Sequence, residues 1–167
     1  MTAEAFPLRG RWIAAEGGKT DEVPYMWNEI SNENDLTRFM ETHDAFHDSC
    51  IKELKYVSGA YVNDDLSMYP VNDKRVLRVI IQRQSEKHSV IEMEFSGLNY
   101  LKLSPNDENY TCEILDSTLI LKDDCVIWCD CGGLTEAGIN DYDGTVICAS
   151  KLRWRTADEF IGSKEVY

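Results

Sequence analysis

Between Val90 and Phe95 apolar and acidic residues alternate one by one, with Ile91, Met93 and Phe95 set against Glu92 and Glu94. A period of two places the apolar set on one face of an extended strand and the carboxylates on the other; on a helix the same residues would scatter around the axis. The alternation predicts a half-buried strand with one wet face. Further strands are predicted at 51–62, with Gly59 as a bulge, and at 75–84, 98–103 and 125–131. The stretches 110–115 and 118–121 form one bent strand or two, broken at Asp116-Ser117. In the last strand, 145–155, Val146, Cys148, Ser150, Leu152 and Trp154 share a face. Short turns between consecutive strands favour antiparallel neighbours. The expected fold is α+β and mainly β: a curved antiparallel sheet of six or seven strands, bent into a sandwich or open barrel.

One helix precedes the sheet. Asn32 can cap it, Glu33 and Asp35 suit its first turn, and Leu36, Phe39, Met40 and His43 recur at helical spacing, predicting a helix over 33–44. Residues 1–31 read as an irregular segment, with a short strand at 9–15 carrying Trp12, a Gly17-Gly18 loop at 16–23, and a stretch at 24–30 packed on the body. Residues 132–143 read as a loop. At 167 residues and 43% hydrophobic, the chain suits one domain, 1–167, with its β body over 50–156.

No apolar run approaches the roughly 20 residues needed to span a bilayer, and the opening MTAEAFPLRGRW lacks the apolar core of a secretion signal. A cytoplasmic location without membrane contact is expected. There the six cysteines stay reduced. Cys125, Cys129 and Cys131 would share a strand face, and with Cys148 they could form a thiolate cluster. Their spacing lacks zinc-site CxxC knuckles, so small buried hydrophobes is the reading adopted.

The net charge is −13, and it is uneven. From Asp21 to Asp48 there are eight acids and one base, Arg38; from Asn106 to Asp143 there are ten acids and one base, Lys122. Such a field repels nucleic acid and anionic membranes and attracts basic proteins. A soluble acidic surface without a partner would look the same.

Two stretches carry candidate chemistry. On a continuous helix His43 and His47 would project from one face, as a metal site needs, with Asp48 or Cys50 as a third ligand. The competing reading places His43 in the core, lets Phe46 plug it, and has His47 and Asp48 fix the helix-to-strand turn through bonds to the backbone. The second stretch, Asn140-Asp141-Tyr142-Asp143-Gly144, has part of a calcium-loop pattern, but Ile139 and Ser150 stand where ligands are needed, and Asp143-Gly144 reads better as a turn. His88 reads as a solvent-exposed turn residue. No nucleophile elbow, P-loop or dinucleotide fingerprint occurs, and no cofactor is expected.

The Phe46-His47-Asp48 tripeptide, the strand after it, LRVIIQRQ, IEMEFSGLNYLKL and the last two strands resemble small uncharacterised bacterial β-rich proteins with a Phe-His-Asp junction. Some of these look like immunity proteins of bacterial toxin systems. The likeness covers about residues 46–155 and implies a binding protein without catalysis, whose acidic surface covers a basic toxin active site. The leading expectation is therefore a non-enzymatic acidic protein that binds a basic partner, with His43, His47, Asp48, Asp141, Tyr142 and Asp143 as candidate binding residues and Tyr142 as an exposed anchor. The alternatives are a metal-dependent enzyme centred on His43, His47 and Asp48, and a small-ligand protein with a cavity within the sheet.

Overall fold

The computed structural model describes residues 26–167. The strand and loop expected at 9–15 and 16–23 lie outside the described residues. Nine strands are described: β1 Asn28–Ile30, β2 Ser49–Val57, β3 Tyr61–Val62, β4 Met68–Tyr69, β5 Val76–Arg83, β6 Val90–Lys102, β7 Thr118–Leu121, β8 Val126–Cys129 and β9 Val146–Thr156. Helix α1 is Glu33–Thr42 and α2 is Glu136–Asp141. Seven strands form one antiparallel sheet in the order β2-β5-β6-β9-β8-β7, with β1 also on β9. β8 pairs with β9 over 146–149 and β1 pairs with it over 152–154, so the two lie end to end along one edge of β9. The sheet curls without closing: a single bridge, Ser49 to Ile114, links β2 to the chain leading into β7. The fold is α+β and mainly β, as the alternation requires.

The main core lies on one face, where Leu77, Val79, Ile91, Met93, Phe95, Trp128 and Leu152 meet Phe39 of α1 and Phe46. The helix begins where the sequence places it. Asn32 Oδ1 accepts the Asp35 N–H at 3.0 Å, and the Asp35 carboxylate reaches back to the Ser31 N–H at 3.2 Å.

The opposite face departs from expectation. Glu92 and Glu94 are only 2% and 4% exposed, so this side of β6 is not wet. Its neighbours β5 and β9 set guanidinium groups against them. Arg78 Nε donates to Glu94 Oε2 at 2.9 Å, Arg153 Nε to Glu94 Oε1 at 2.8 Å, and Arg155 Nε to Glu92 Oε2 at 2.6 Å. The Tyr167 hydroxyl donates to Glu92 at 3.0 Å, and the N–H groups of Val166 and Tyr167 bond to Glu53. Paired and hydrogen-bonded carboxylates tolerate burial; unpaired ones do not.

Other readings are corrected. The stretch 51–62 is not one strand: β2 ends at Val57, its bulge falls between Ile51 and Glu53, and Gly59 (φ +103°) turns the chain instead. Residues 90–102 form one strand, not two. Residues 110–115 do not form a strand, since only Ile114 finds a partner. Part of the irregular N-terminal segment pairs as β1. The supposed loop 132–143 holds α2, whose N-terminus is capped by Thr135 Oγ1 accepting the Gly138 N–H. The face expected in β9 is split: Leu152 and Trp154 join the main core, Ser150 is exposed, and Val146 and Cys148 pack with Ile127 and Ile139 in a second cluster. β6 changes face at the same level, where Phe95 and Leu98 both enter the main core across Gly97 (φ +66°).

Candidate interaction surface

The junction after α1 is built by an unusual backbone. The helix stops at Thr42, and Asp44, Ala45 and Phe46 then follow with φ of +48°, +45° and +64°, and Asp48 with +54°. Bonds from the Phe46 N–H to His43 O and from the His47 N–H to Asp44 O, each 2.8 Å, close this short left-handed turn. Left-handed geometry costs an L-residue about 1–2 kcal/mol, so tertiary packing has to hold it. Phe46 supplies that packing: it is fully buried, edge-on to Phe39 at 5.4 Å and to Trp128 at 6.3 Å.

The turn separates the two histidines. His43 is fully buried against Phe39, Phe46 and Trp154, with Nδ1 2.7 Å from Phe39 O and Nε2 without a partner. Burial, with smaller contributions from Arg83 and His88, lowers its pKa to about 4 against the pull of the Phe39 carbonyl. His47 is about half exposed and pairs with its neighbour, Nδ1 to Asp48 Oδ1 at 2.9 Å. The two imidazoles therefore do not share a helix face. The side chain that fixes the turn is Ser49, not His47 or Asp48: its hydroxyl donates to Phe46 O at 2.5 Å. His88 is partly buried rather than solvent-exposed. Its Nδ1 lies 2.8 Å from Thr156 Oγ1, and its ring is 5.8 Å from that of His43. Arg83 donates to the His88 carbonyl at 3.3 Å. Sequence spacing did not reveal this grouping, because β5, β6 and β9 bring it together.

The second stretch sets two exposed aspartates on either side of a packed tyrosine. Asp141 ends α2, and Asp143 is exposed with Lys102 Nζ 3.2 Å from its Oδ1. Tyr142 is not the exposed anchor expected. It packs on the second cluster and donates its hydroxyl to Asp130 Oδ1 at 2.8 Å, an atom that also accepts the Thr145 N–H at 2.9 Å. Its ring occupies the space above Gly144, where an added Cβ would fall 2.1 Å from the Tyr142 oxygen. Among the described residues, no group of three or more His, Cys, Asp or Glu side chains is placed to hold a metal.

A cluster of exposed apolar side chains lies elsewhere, on an arm of the sheet. β3 and β4 form a two-stranded ribbon that branches from the sheet between β2 and β5, and every residue from 60 to 75 is exposed. Tyr61, Val62, Leu66, Met68, Tyr69 and Val71 are all open to solvent, Leu66 at 84% and Met68 at 68%. An isolated two-stranded hairpin is marginal in water. This one is braced by its own contacts: the Tyr61 and Tyr69 rings stack at 5.1 Å, Asp65 Oδ1 accepts from the Ser67 N–H and hydroxyl at 2.9 and 2.6 Å, and the Tyr69 hydroxyl donates to Asp73 at 3.2 Å. At its base the Lys74 and Arg75 N–H groups bond to Ser58 O at 3.0 and 3.2 Å. Residues 60–73 contain three acids, Asp64, Asp65 and Asp73, and no Lys or Arg. The pattern that announces the arm is apolar pairs on either side of the polar Asn63-Asp64-Asp65, which the reading of 51–62 as one strand concealed.

A groove of about 840 Å³ opens where β1 and β8 meet along β9, lined by Ser31, Glu94, Lys122, Ser150, Lys151 and Arg153 among others. It is a charged cleft at a strand edge, unlike the apolar cavity within the sheet that small-ligand binding called for. No family model, curated protein or solved structure matches this chain.

Proposed function

We propose that this chain is a non-enzymatic, cytoplasmic binding protein that engages a basic protein partner through the β3–β4 arm. The observation that carries the reading is the arm itself: six large apolar side chains held in water among three carboxylates, with Lys74 and Arg75 only at its base. Exposed apolar clusters with a charged rim mark protein contact sites. Tyr61, Tyr69, Met68 and Leu66 act as anchors, Asp64, Asp65 and Asp73 form the rim, and the net charge of −13 speeds encounter with a basic surface. A ribbon two strands wide enters a cleft more readily than it covers a plane, so the fitting partner surface is a concave basic one. The resemblance to immunity proteins makes a toxin active site the leading instance. Association with nucleic acid or anionic membrane is disfavoured by the same charge. Among the described residues no helix is long and apolar enough to cross a membrane.

The test is a pull-down at low and high salt with the wild-type chain and with Leu66→Ser/Met68→Ser. Capture of a basic protein at low salt is expected, with loss at high salt and in the double variant. Failure to capture any basic protein at low salt, or equal capture by the variant, overturns the proposal.

A further inference from the structure

Part of the sheet face opposite the main core is covered by the chain's own segment 160–167, and most of what holds it there is addressed to backbone. Lys52 Nζ donates to Phe160 O at 3.3 Å and to Lys164 O, and Gln82 Nε2 donates to Phe160 O and Gly162 O, each at 2.9 Å. The Glu53 carboxylate accepts the Val166 N–H at 2.8 and 3.0 Å and the Tyr167 N–H at 3.1 Å. Lys52 and Glu53 are consecutive, so a regular strand would send them to opposite faces. The β-bulge between Ile51 and Glu53 brings both to this one, with Lys52 Nζ 3.7 Å from Glu53 Oε1, while Ile51 and Leu54 pack on the main core. Anchors close the two ends of the segment. Phe160 and Val166 pack with Ile80, Val90 and Ala157, the Tyr167 hydroxyl donates to Glu92 Oε1 at 3.0 Å, and Lys55 Nζ lies 5.4 Å from the centre of the Tyr167 ring. Residues 161–165 between them are exposed, and their side chains make no hydrogen bond or ion pair among the described residues. Gly162 turns there at φ +96°.

We propose that this face is a binding site for an extended segment of a partner protein in which an apolar residue precedes a tyrosine, and that segment 162–167 occupies it as a displaceable strap. Bonds to carbonyls and N–H groups carry over to any extended chain, while the contacts made by Val166 and Tyr167 supply the selectivity. β2 is an edge of the sheet, bridged only at Ser49, so an incoming chain reaches the site from the side. Release of the strap strips Glu53 of the Val166 and Tyr167 N–H groups and leaves Glu92, only 2% exposed, without its tyrosine. Buried acceptors without donors are costly, so the opened face gains by taking up a substitute. The strap is tethered, and a short tether gives it an effective concentration in roughly the millimolar range; a partner segment displaces it when it binds more tightly or is itself held nearby.

The experiment uses the full chain carrying Val166→Ser/Tyr167→Ala, whose strap has lost both anchors, and as probe a fluorescent peptide of residues 162–167 with blocked ends. The variant is expected to bind the probe at least about tenfold more tightly than the wild type, where the strap competes. A probe with Ser and Ala in the two anchor places should not bind, and adding Glu53→Gln to the variant should weaken binding about tenfold, because the bonds lose their charge. No binding by a variant that still unfolds cooperatively, equal binding by variant and wild type, or equal uptake of the anchorless probe overturns the proposal. So does self-association of the wild-type chain that the free probe dissolves, which would give the site to a second copy. If the variant does not fold, amide exchange in the wild type decides. The Val166 and Tyr167 N–H groups should exchange well before those of β5 and β6, and exchange only with global unfolding overturns the proposal.

Discussion

His43 Nδ1 lies 2.7 Å from the carbonyl oxygen of Phe39, one turn back along α1, and this contact sets the tautomer of a histidine with no exposed surface. A carbonyl only accepts, so Nδ1 carries the proton, and Nε2 is left as an unprotonated, unpartnered nitrogen among Phe39, Phe46 and Trp154.

Acid should therefore destabilise the protein through His43. Its pKa in the folded state, about 4, lies below the ordinary 6.5, so the unfolded chain binds the proton more readily. The stabilisation is fully present above pH 6.5 and is lost as pH falls toward 4. Between pH 7 and 5, where most carboxylates stay ionised, the loss is about 2 kcal/mol. Urea unfolding at several pH values measures it, and His43→Phe should flatten the curve in that window. An equally steep curve in the variant would assign the effect to another group.

The left-handed turn gives a second expectation. Ala45 sits at φ +45° and ψ +29°, where a Cβ is penalised and glycine is not. Ala45→Gly should raise stability by about 1 kcal/mol despite the extra freedom it gives the unfolded chain, whereas in an ordinary helix it would lower it by a similar amount. Denaturant midpoints distinguish the two signs.

Glu94 joins three strands through Arg78 and Arg153. Removing a buried partner of an ion pair leaves the others uncompensated, although these guanidinium groups are partly exposed and can rehydrate. Glu94→Ala should cost about 2 kcal/mol; a wet-faced glutamate would cost less than about 0.5 kcal/mol. Chemical denaturation of the variant reads this directly.

Gly144→Ala tests the inward placement of Tyr142. The new methyl would overlap a ring held by Asp130, and overpacking of this kind costs about 2 kcal/mol. If the variant melts like the wild type, Tyr142 is free to swing out and the Tyr142–Asp130 bond does not lock it.

Local chemistry was legible in the sequence. Asn32 capped the helix where expected, the spacing of Leu36, Phe39 and His43 gave its buried stripe, and the runs at 75–84 and 145–155 became β5 and β9 within a residue or so. The core role of His43 followed from its position on that stripe, and that of Phe46 from its place just after the helix, where the chain turns. The arm was less legible, because Tyr61 and Val62 look the same in sequence whether they extend β2 or pair with Met68 and Tyr69. Residues 110–115 show the converse: a stretch expected as a strand pairs at Ile114 alone, by one bridge to Ser49, and forms no strand.

What the sequence by itself determined is therefore the class of fold, the helix and its start, the antiparallel pairing and the acidic charge, all set by interactions within a few residues or by composition; the helix ends at Thr42, two residues before the expected 44. The tertiary structure alone decided which polar groups are buried. Glu92 and Glu94 escape water because Arg78, Arg153 and Arg155 arrive from other strands, and His43 meets His88 and Trp154 only when β5, β6 and β9 assemble. The same assembly carries the chain through a left-handed turn that Asp44, Ala45 and Phe46 would not adopt alone. Burial of Phe46 offsets that local strain, and burial is a property of the folded whole.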